Sequence, residues 1–207
     1  VVVTARNAAL TIDANLNALR NQTHKNLEII VVDDGSTDTT RAIVERHATL
    51  DRRVRLVALP RSGTAAALNA GWRASLGKAV AFMVAKDLAY PDKLRRLYSA
   101  LLGSGDEVGL AYNWSERIDA SGWAVGMVPE SFKYGDVLGD LIAVNVLGNP
   151  SSAMVRREVL ESLGGFDESL YAAGAEGCED LAFYLKVAEQ YEFALIPEHL
   201  TGDRLAL

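Results

Sequence analysis

A single cysteine, Cys178, stands in the 207 residues, so no internal disulfide can form and a cysteine-rich zinc site is excluded. A chain this poor in thiols suits a reducing compartment. Histidine is almost as scarce, and His24, His47 and His199 follow no metal-ligand spacing, so each reads as a surface or hydrogen-bonded histidine. No Lys/Arg-rich block is present and the net charge is −6, which removes the basic footprint that nucleic-acid binding needs. Long apolar runs are missing too. Ala79–Ala85 is among the longest uncharged ones and falls far short of the ~20 residues that span a bilayer. No membrane span is therefore expected in this chain, and no signal-peptide pattern is visible. Repeats, low-complexity segments and linkers are also lacking.

What is present is ordinary for a globular protein: 49% hydrophobic and 23% charged residues. A chain of this length buries roughly 70% of its unfolded surface without a covalent or metal staple. The first residue is Val1 rather than Met and already has strand character. The expectation is an excised domain with a cytoplasmic location. Any membrane attachment, and any further domains of a longer parent, are left to flanking segments.

The first hundred residues alternate between strand and helix patterns. Val1–Thr4, Leu27–Asp33, Val54–Leu59 and Ala79–Ala85 are apolar or β-branched runs. Between them lie helical spacings at Ala9, Ile12, Leu16 and Leu19, then Ser36–Asp38 as N-cap candidates for a helix to about Leu50, then Ala65, Leu68, Trp72 and Leu76. Leu94, Leu97, Tyr98 and Leu101 mark a fourth helix. Continuous apolar strands alternating with helices predict an α/β fold, a Rossmann-like, mostly parallel sheet flanked on both faces. Ligands of such sheets bind beyond the carboxyl ends of the strands.

After Gly103 the pattern changes. Gly109–Tyr112 and Ala124–Val128 read as strands around the turn Asp119–Gly122, Tyr134–Ile142 as a helix, and Ser152–Val155 as a strand. Leu181, Tyr184, Leu185 and Ala188 predict a helix over Glu179–Gln190, and Phe193–Ile196 a final strand. One domain is expected over 1–207, with a binding half at 1–103 and a mixed, antiparallel-leaning half at 104–207.

Two local features carry chemistry. Asp33-Asp34-Gly35-Ser36 closes a strand. Paired carboxylates there suit N–H and hydroxyl groups of a nucleoside, although the same residues also favour a plain turn with a helix cap. Glu179-Asp180 opens a helix after Gly164-Gly165-Phe166-Asp167-Glu168. Taken alone these acids suit a helix cap. Cys178 beside them reads as a small packing residue, and the sequon Asn113-Trp114-Ser115 is assigned no role.

The ordered segments VVVTARN, LEIIVVDDGSTD, RSGTAAALNAGWRAS, KDLAYPDKL, GGFDESL and EDLAFYLKVAE resemble family 2 glycosyltransferases of the GT-A fold, over essentially the whole chain. The resemblance implies transfer of a sugar from a nucleotide diphosphate donor, UDP-sugar first among them, to an acceptor hydroxyl with inversion. Its partners would be that donor and a glycan or lipid-linked acceptor, in polysaccharide or cell-envelope biosynthesis. It implies Thr4 and Asp34 at the uracil, with Asp33 beside them, and Arg6 where the family often has Tyr. Asn69 matches a family Asn, while Leu68 replaces a common Arg. Asp180 becomes the general base and Glu179 an acceptor-orienting group.

The family's metal motif is where the chain departs. Two spaced carboxylates usually hold Mg²⁺ or Mn²⁺ there, but Val84 and Lys86 stand at those positions and only the third acid survives, as Asp87. Neither Val nor Lys supplies the oxygen that a hard cation needs. The later metal-side His would fall near Ala206. No metal ligand is therefore assigned, Asp87 being the only acid left for one. Lys86 and Asp87 are expected beside the nucleotide, and three readings of Lys86 stay open: a point charge replacing the metal, a decayed site, or a solvated lysine. Decay would make the chain an inactive pseudo-glycosyltransferase serving as a binding or scaffolding module. A nucleotidyltransferase is disfavoured by the lack of a Gly-rich pyrophosphate loop near the amino end.

Overall fold

The computed structural model describes residues 1–205. Strands β1 (Val2–Ala5), β2 (Ile29–Asp34), β3 (Val54–Leu59) and β4 (Ala79–Val84) alternate with helices α1 (Ile12–Arg20), α2 (Thr40–Leu50) and α3 (Thr64–Ala74). A two-residue strand β5 (Leu88–Ala89) and helix α4 (Lys93–Gly103) follow. The second half contains β6 (Val108–Ile118), β7 (Ala124–Met127), α5 (Leu138–Ala143), a 3₁₀ turn (Pro150–Ser152) and β8 (Ala153–Arg156). It ends with α6 (Arg157–Leu163), α7 (Ser169–Ala172), α8 (Glu179–Ala188) and β9 (Glu192–Arg204).

Among the described residues all nine strands join one sheet, in the order β3-β2-β1-β4-β8-β6-β9-β5 with β7 added on β6. The first four are parallel. Beyond β4 the sheet is mixed: β8 is antiparallel to both neighbours, whereas β6 and β9 run parallel. Alternation sorts the strand residues onto two cores. Val3, Ile29, Val31 and Met83 pack with Leu16 of α1, Val44 of α2 and Leu97 of α4. Val2, Ile30, Val32 and Phe82 pack with Trp72 of α3, Leu160 of α6 and Phe183 of α8. Burial on both faces is why these strands read as unbroken apolar runs.

Three expectations need correction. The helix predicted over 134–142 begins only at Leu138, because the backbone of Gly135 exchanges both hydrogen bonds with Phe193 of β9. The final strand predicted over 193–196 continues to Arg204. It passes through Pro197, which cannot donate to a ladder, by register shifts opposite Asn113–Ser115 of β6. Helix α2 starts at Thr40, and of Ser36–Asp38 only Asp38 serves its first turn: Oδ1 accepts from the Thr40 amide at 3.0 Å, while Thr39, at the cap position itself, makes no side-chain bond. Ser36, and Asp38 through Oδ2, bond the amides of Asn7 and Ala9.

Helix α3 rides close on the sheet at Gly71, where an added Cβ would lie 2.2 Å from Cγ1 of Val2 and 3.1 Å from Cγ2 of Val32. Gly71→Ala should therefore lower stability by a net of about 1–2 kcal/mol, overpacking outweighing the better helix propensity of alanine. A urea midpoint at or above the native value would contradict this seating of α3.

Candidate active site

The chain runs from β1 outward to β3, then α3 carries it back to β4 on the other side of β1. That reversal opens a crevice at the carboxyl ends of β1 and β4, the usual place for a ligand in an open α/β sheet. A pocket of about 410 Å³ lies there. Thr4 of β1, Phe82–Val84 of β4, and Thr64 and Leu68 of α3 line one side; Gly177–Leu181, Asn145, Gly148 and Pro150 line the other. A hollow of about 390 Å³ between Leu27, Leu76, Lys78 and Tyr98 lies toward the other end of the sheet and holds none of the predicted residues.

Helix α8 aims its first turn into the crevice because Phe183, Tyr184 and Val187 are buried in the core behind it. Glu179 is buried, with its carboxylate accepting from the Gly177 amide at 2.5 Å. Burial pushes the Asp180 carboxyl above the usual aspartate range. Hydrogen bonds from the Leu181 and Asp180 amides oppose that rise and the Glu179 charge adds to it. Desolvation thus outweighs the helix terminus, the reverse of what a helix-end carboxylate alone suggests. Cys178 is exposed and lines the pocket, so it is not the packing residue expected.

Asn69, fully buried on α3, fastens the turn that leads to α8. Its Nδ2 donates to the Phe166 carbonyl at 2.9 Å and to Glu168 Oε1 at 2.7 Å, and its Oδ1 accepts from the Phe166 amide and from Trp72 Nε1, both at 3.0 Å. A single amide side chain thereby satisfies one turn and one indole.

The carboxylates of the Asp33-Asp34 pair are both engaged. Asp33 is fully buried and accepts from Arg41 and from the Ser36 amide, each at 3.2 Å. Asp34 accepts from the amides of Ser62 at 2.6 Å and Gly63 at 3.2 Å, and from the guanidinium of Arg61. Arg61 also holds Glu176 in a two-oxygen contact at 2.7 and 2.9 Å, and its guanidinium lies 5.1 Å from the ring centre of Tyr171. Gly63, at φ +91°, leaves room for that ring; a Cβ there would lie 2.7 Å from it. Arg61 therefore joins the Asp34 carboxylate to the segment that carries Glu179 and Asp180.

A sequence profile described as Glycosyl transferase family 2 matches residues 1–164. The chain belongs to that family. An uncharacterized glycosyltransferase of Haemophilus influenzae is 33% identical over 99% of this chain and 64% of its own length. The succinoglycan biosynthesis protein ExoO of Rhizobium meliloti is 38% identical over 53% of this chain and 31% of its own. Among solved structures, S. aureus TarS 1-349 in complex with UDP-GlcNAc superimposes with a TM-score of 0.78 at 19% identity, over all of this chain and 58% of TarS 1-349. The mannosyltransferase PcManGT of Pyrobaculum calidifontis, in complex with GDP-Man and Mn²⁺, gives 0.72 at 25% identity over 98% of this chain and 55% of its own. These likenesses establish the GT-A fold. The chain spans less than two thirds of the length of each of these four proteins.

The family 2 metal position does not fit a metal here. Val84 lines the pocket without offering an oxygen. Lys86 donates to the Arg204 carbonyl at 2.7 Å and pairs with Asp203 at 3.4 Å. Asp87 is fully buried, with Oδ1 accepting from the Arg204 amide at 3.1 Å and Oδ2 from Ser151 Oγ at 2.6 Å and Asn149 Nδ2 at 3.3 Å. Among the described residues no three His, Cys, Asp or Glu side chains are grouped to hold an ion. Ala206 lies outside the described residues.

Of the predicted site residues, Thr4, Glu179 and Asp180 share the pocket, and Asp34 reaches its edge through the loop before Thr64. Arg6 is exposed past β1, while Asp33, Lys86 and Asp87 are absent from the pocket wall. Sequence reasoning reached Arg61 only within the segment RSGTAAALNAGWRAS, without a role, and missed Glu176, Asn149, Ser151 and Arg204, whose partners lie in distant segments. Asn113 of the sequon is buried and bonded to Thr201.

Arg61→Ala should free the 169–178 segment while leaving Asp34 its two amide partners. The expected cost is roughly 1–2 kcal/mol, reduced by the partial exposure of the guanidinium. Limited proteolysis should then cut this segment faster than in the native chain. An unchanged cleavage rate would mean that Arg61 does not hold it.

Proposed function

We propose that this chain is the catalytic part of a glycosyltransferase that moves a sugar from a nucleotide diphosphate donor, UDP-sugar as first candidate, to an acceptor hydroxyl with inversion. The carrying observation is the pocket itself: it brings Asp180 and Glu179 to the crevice side of Thr4, where β1 and β4 end. Asp180 takes the proton of the acceptor hydroxyl as that oxygen attacks the anomeric carbon, and the nucleotide diphosphate departs with the bonding electrons. Desolvation of Asp180 raises its basicity, which favours proton transfer at neutral pH. Glu179 is anchored by the Gly177 amide and orients the acceptor. Thr4 and Asp34, with Arg6 and Asp33 near them, would hold the nucleoside. Asp34 exchanges Arg61 for the base on binding.

The acceptor would be a glycan or a lipid-linked glycan; the name of one relative, a succinoglycan biosynthesis protein, favours a glycan. No helix of the described residues is long and apolar enough to cross a membrane. A second reading, a binding or scaffolding module without turnover, is favoured by Val84, Lys86 and the fully engaged Asp87. Nucleotide release separates the two, measured over UDP-sugars with polysaccharide and lipid-linked acceptors. UDP binding with no turnover in any combination would select the scaffold.

Asp180→Asn keeps size and removes the base, so turnover should fall by about 10²–10⁴-fold. Near-native turnover would take Asp180 out of the mechanism. The pH profile offers an independent check. The base must be ionised, so kcat/KM should rise with pH through its raised pKa, placing the acid limb above the ~3.9 of an ordinary aspartate. A limb at or below that value would show that another group titrates.

A further inference from the structure

Lys86-Asp87, just past β4, and Asp203-Arg204, at the end of β9, meet in four mutual contacts. Lys86 Nζ donates to the Arg204 carbonyl at 2.7 Å, and Arg204 Nε donates back to the Lys86 carbonyl at 2.8 Å. The Arg204 amide donates to Asp87 at 3.1 Å, and Lys86 pairs with Asp203 at 3.4 Å. Arg204 Nη1 reaches the carbonyls of Asp119 and Ala120, in the turn between β6 and β7. Three segments are thus tied together.

We infer that this clamp does the joining that a divalent cation would otherwise do, so that the site binds a nucleotide diphosphate without Mg²⁺ or Mn²⁺. The inference rests on the nucleotide-sugar reading. Mg²⁺ and Mn²⁺ need oxygen ligands. Here the oxygens at the strand ends already accept hydrogen bonds: the carbonyls of Lys86 and Arg204, both oxygens of Asp87, and Oδ1 of Asp203. Two fixed positive charges, Lys86 and Arg204, stand among them and repel an incoming cation. An ammonium carries three N–H groups. Two of those on Lys86 are used, and its side chain is 42% exposed, so the third is available to a phosphate oxygen. A charge of +1 replaces +2, and binding is correspondingly sensitive to salt.

The test is a set of calorimetric and melting measurements on the full chain. MnCl₂ alone should give no stoichiometric heat and no rise in melting temperature. UDP affinity should agree within about twofold between EDTA and Mn²⁺. Lys86→Met should lower the melting temperature by about 2–4 °C, with no recovery on adding Mn²⁺, and should weaken UDP about tenfold or more. Val84→Asp with Lys86→Asp should gain Mn²⁺ binding, since it supplies two oxygens and removes a positive charge. Stoichiometric Mn²⁺ uptake by the native chain, or UDP binding at least tenfold tighter with Mn²⁺ than with EDTA, would overturn the inference. So would a Lys86→Met chain that melts like the native one. Absence of any UDP binding would remove the nucleotide reading, and the MnCl₂ and melting results would still decide whether the clamp replaces an ion.

Discussion

The buried carboxylate of Asp87 is the interaction on which the rest of the arrangement depends. A carboxylate removed from water is tolerated only when hydrogen bonds and charge replace its hydration. Asp87 draws its partners from three places: Asn149 and Ser151 at the 3₁₀ turn, the Arg204 amide on β9, and the charge of Lys93 on α4. Lys93 is itself fully buried and donates to the Ser151 carbonyl; burial brings its pKa down to about 7, against the pull of Asp87. Meeting the needs of these two groups fixes the end of β4 against the second half of the chain. The same fixing places Pro150 and Gly148 opposite Thr4 and closes the crevice into a pocket.

Much of the fold was legible because its signals are local. Continuous apolar strands and helical spacings located β1–β4 and the helices between them, and the periodicity at Leu181–Ala188 located α8. What escaped depends on partners distant in sequence. The length of β9 follows from pairing with β6, and the late start of α5 from a bridge between Gly135 and Phe193. The site divides in the same way. Glu179 and Asp180 were readable through the family resemblance of the helix start they open, since taken alone they suited a cap. The contacts of Arg61 with Asp34 and Glu176, separated by 27 and 115 residues, leave no mark in either neighbourhood.

Family membership and site chemistry carry different weight here, as they do for any widely used fold. The first follows from the profile over residues 1–164, and the superpositions give the GT-A fold. The chemistry has to come from this chain's own side chains, and they show a pocket with an apolar floor of Leu68, Phe82, Met83 and Val84 and acids only at the α8 side. Such a floor suits the faces of a sugar ring better than a bare diphosphate. On the proposed reading, charge on the donor is met by Lys86 of the neighbouring clamp rather than by an ion in the floor.

On the proposed reading a nucleotide enters at the ends of β1 and β4 and engages both the Asp34 loop and the start of α8. Hydrogen exchange with and without UDP then distinguishes this entry from any other. Added protection is expected in residues 4–7, 33–36, 61–64 and 177–181, with the remaining helices unchanged. Protection confined to the opposite end of the sheet, around Leu27, Leu76 and Tyr98, or no protection with saturating UDP, would contradict it.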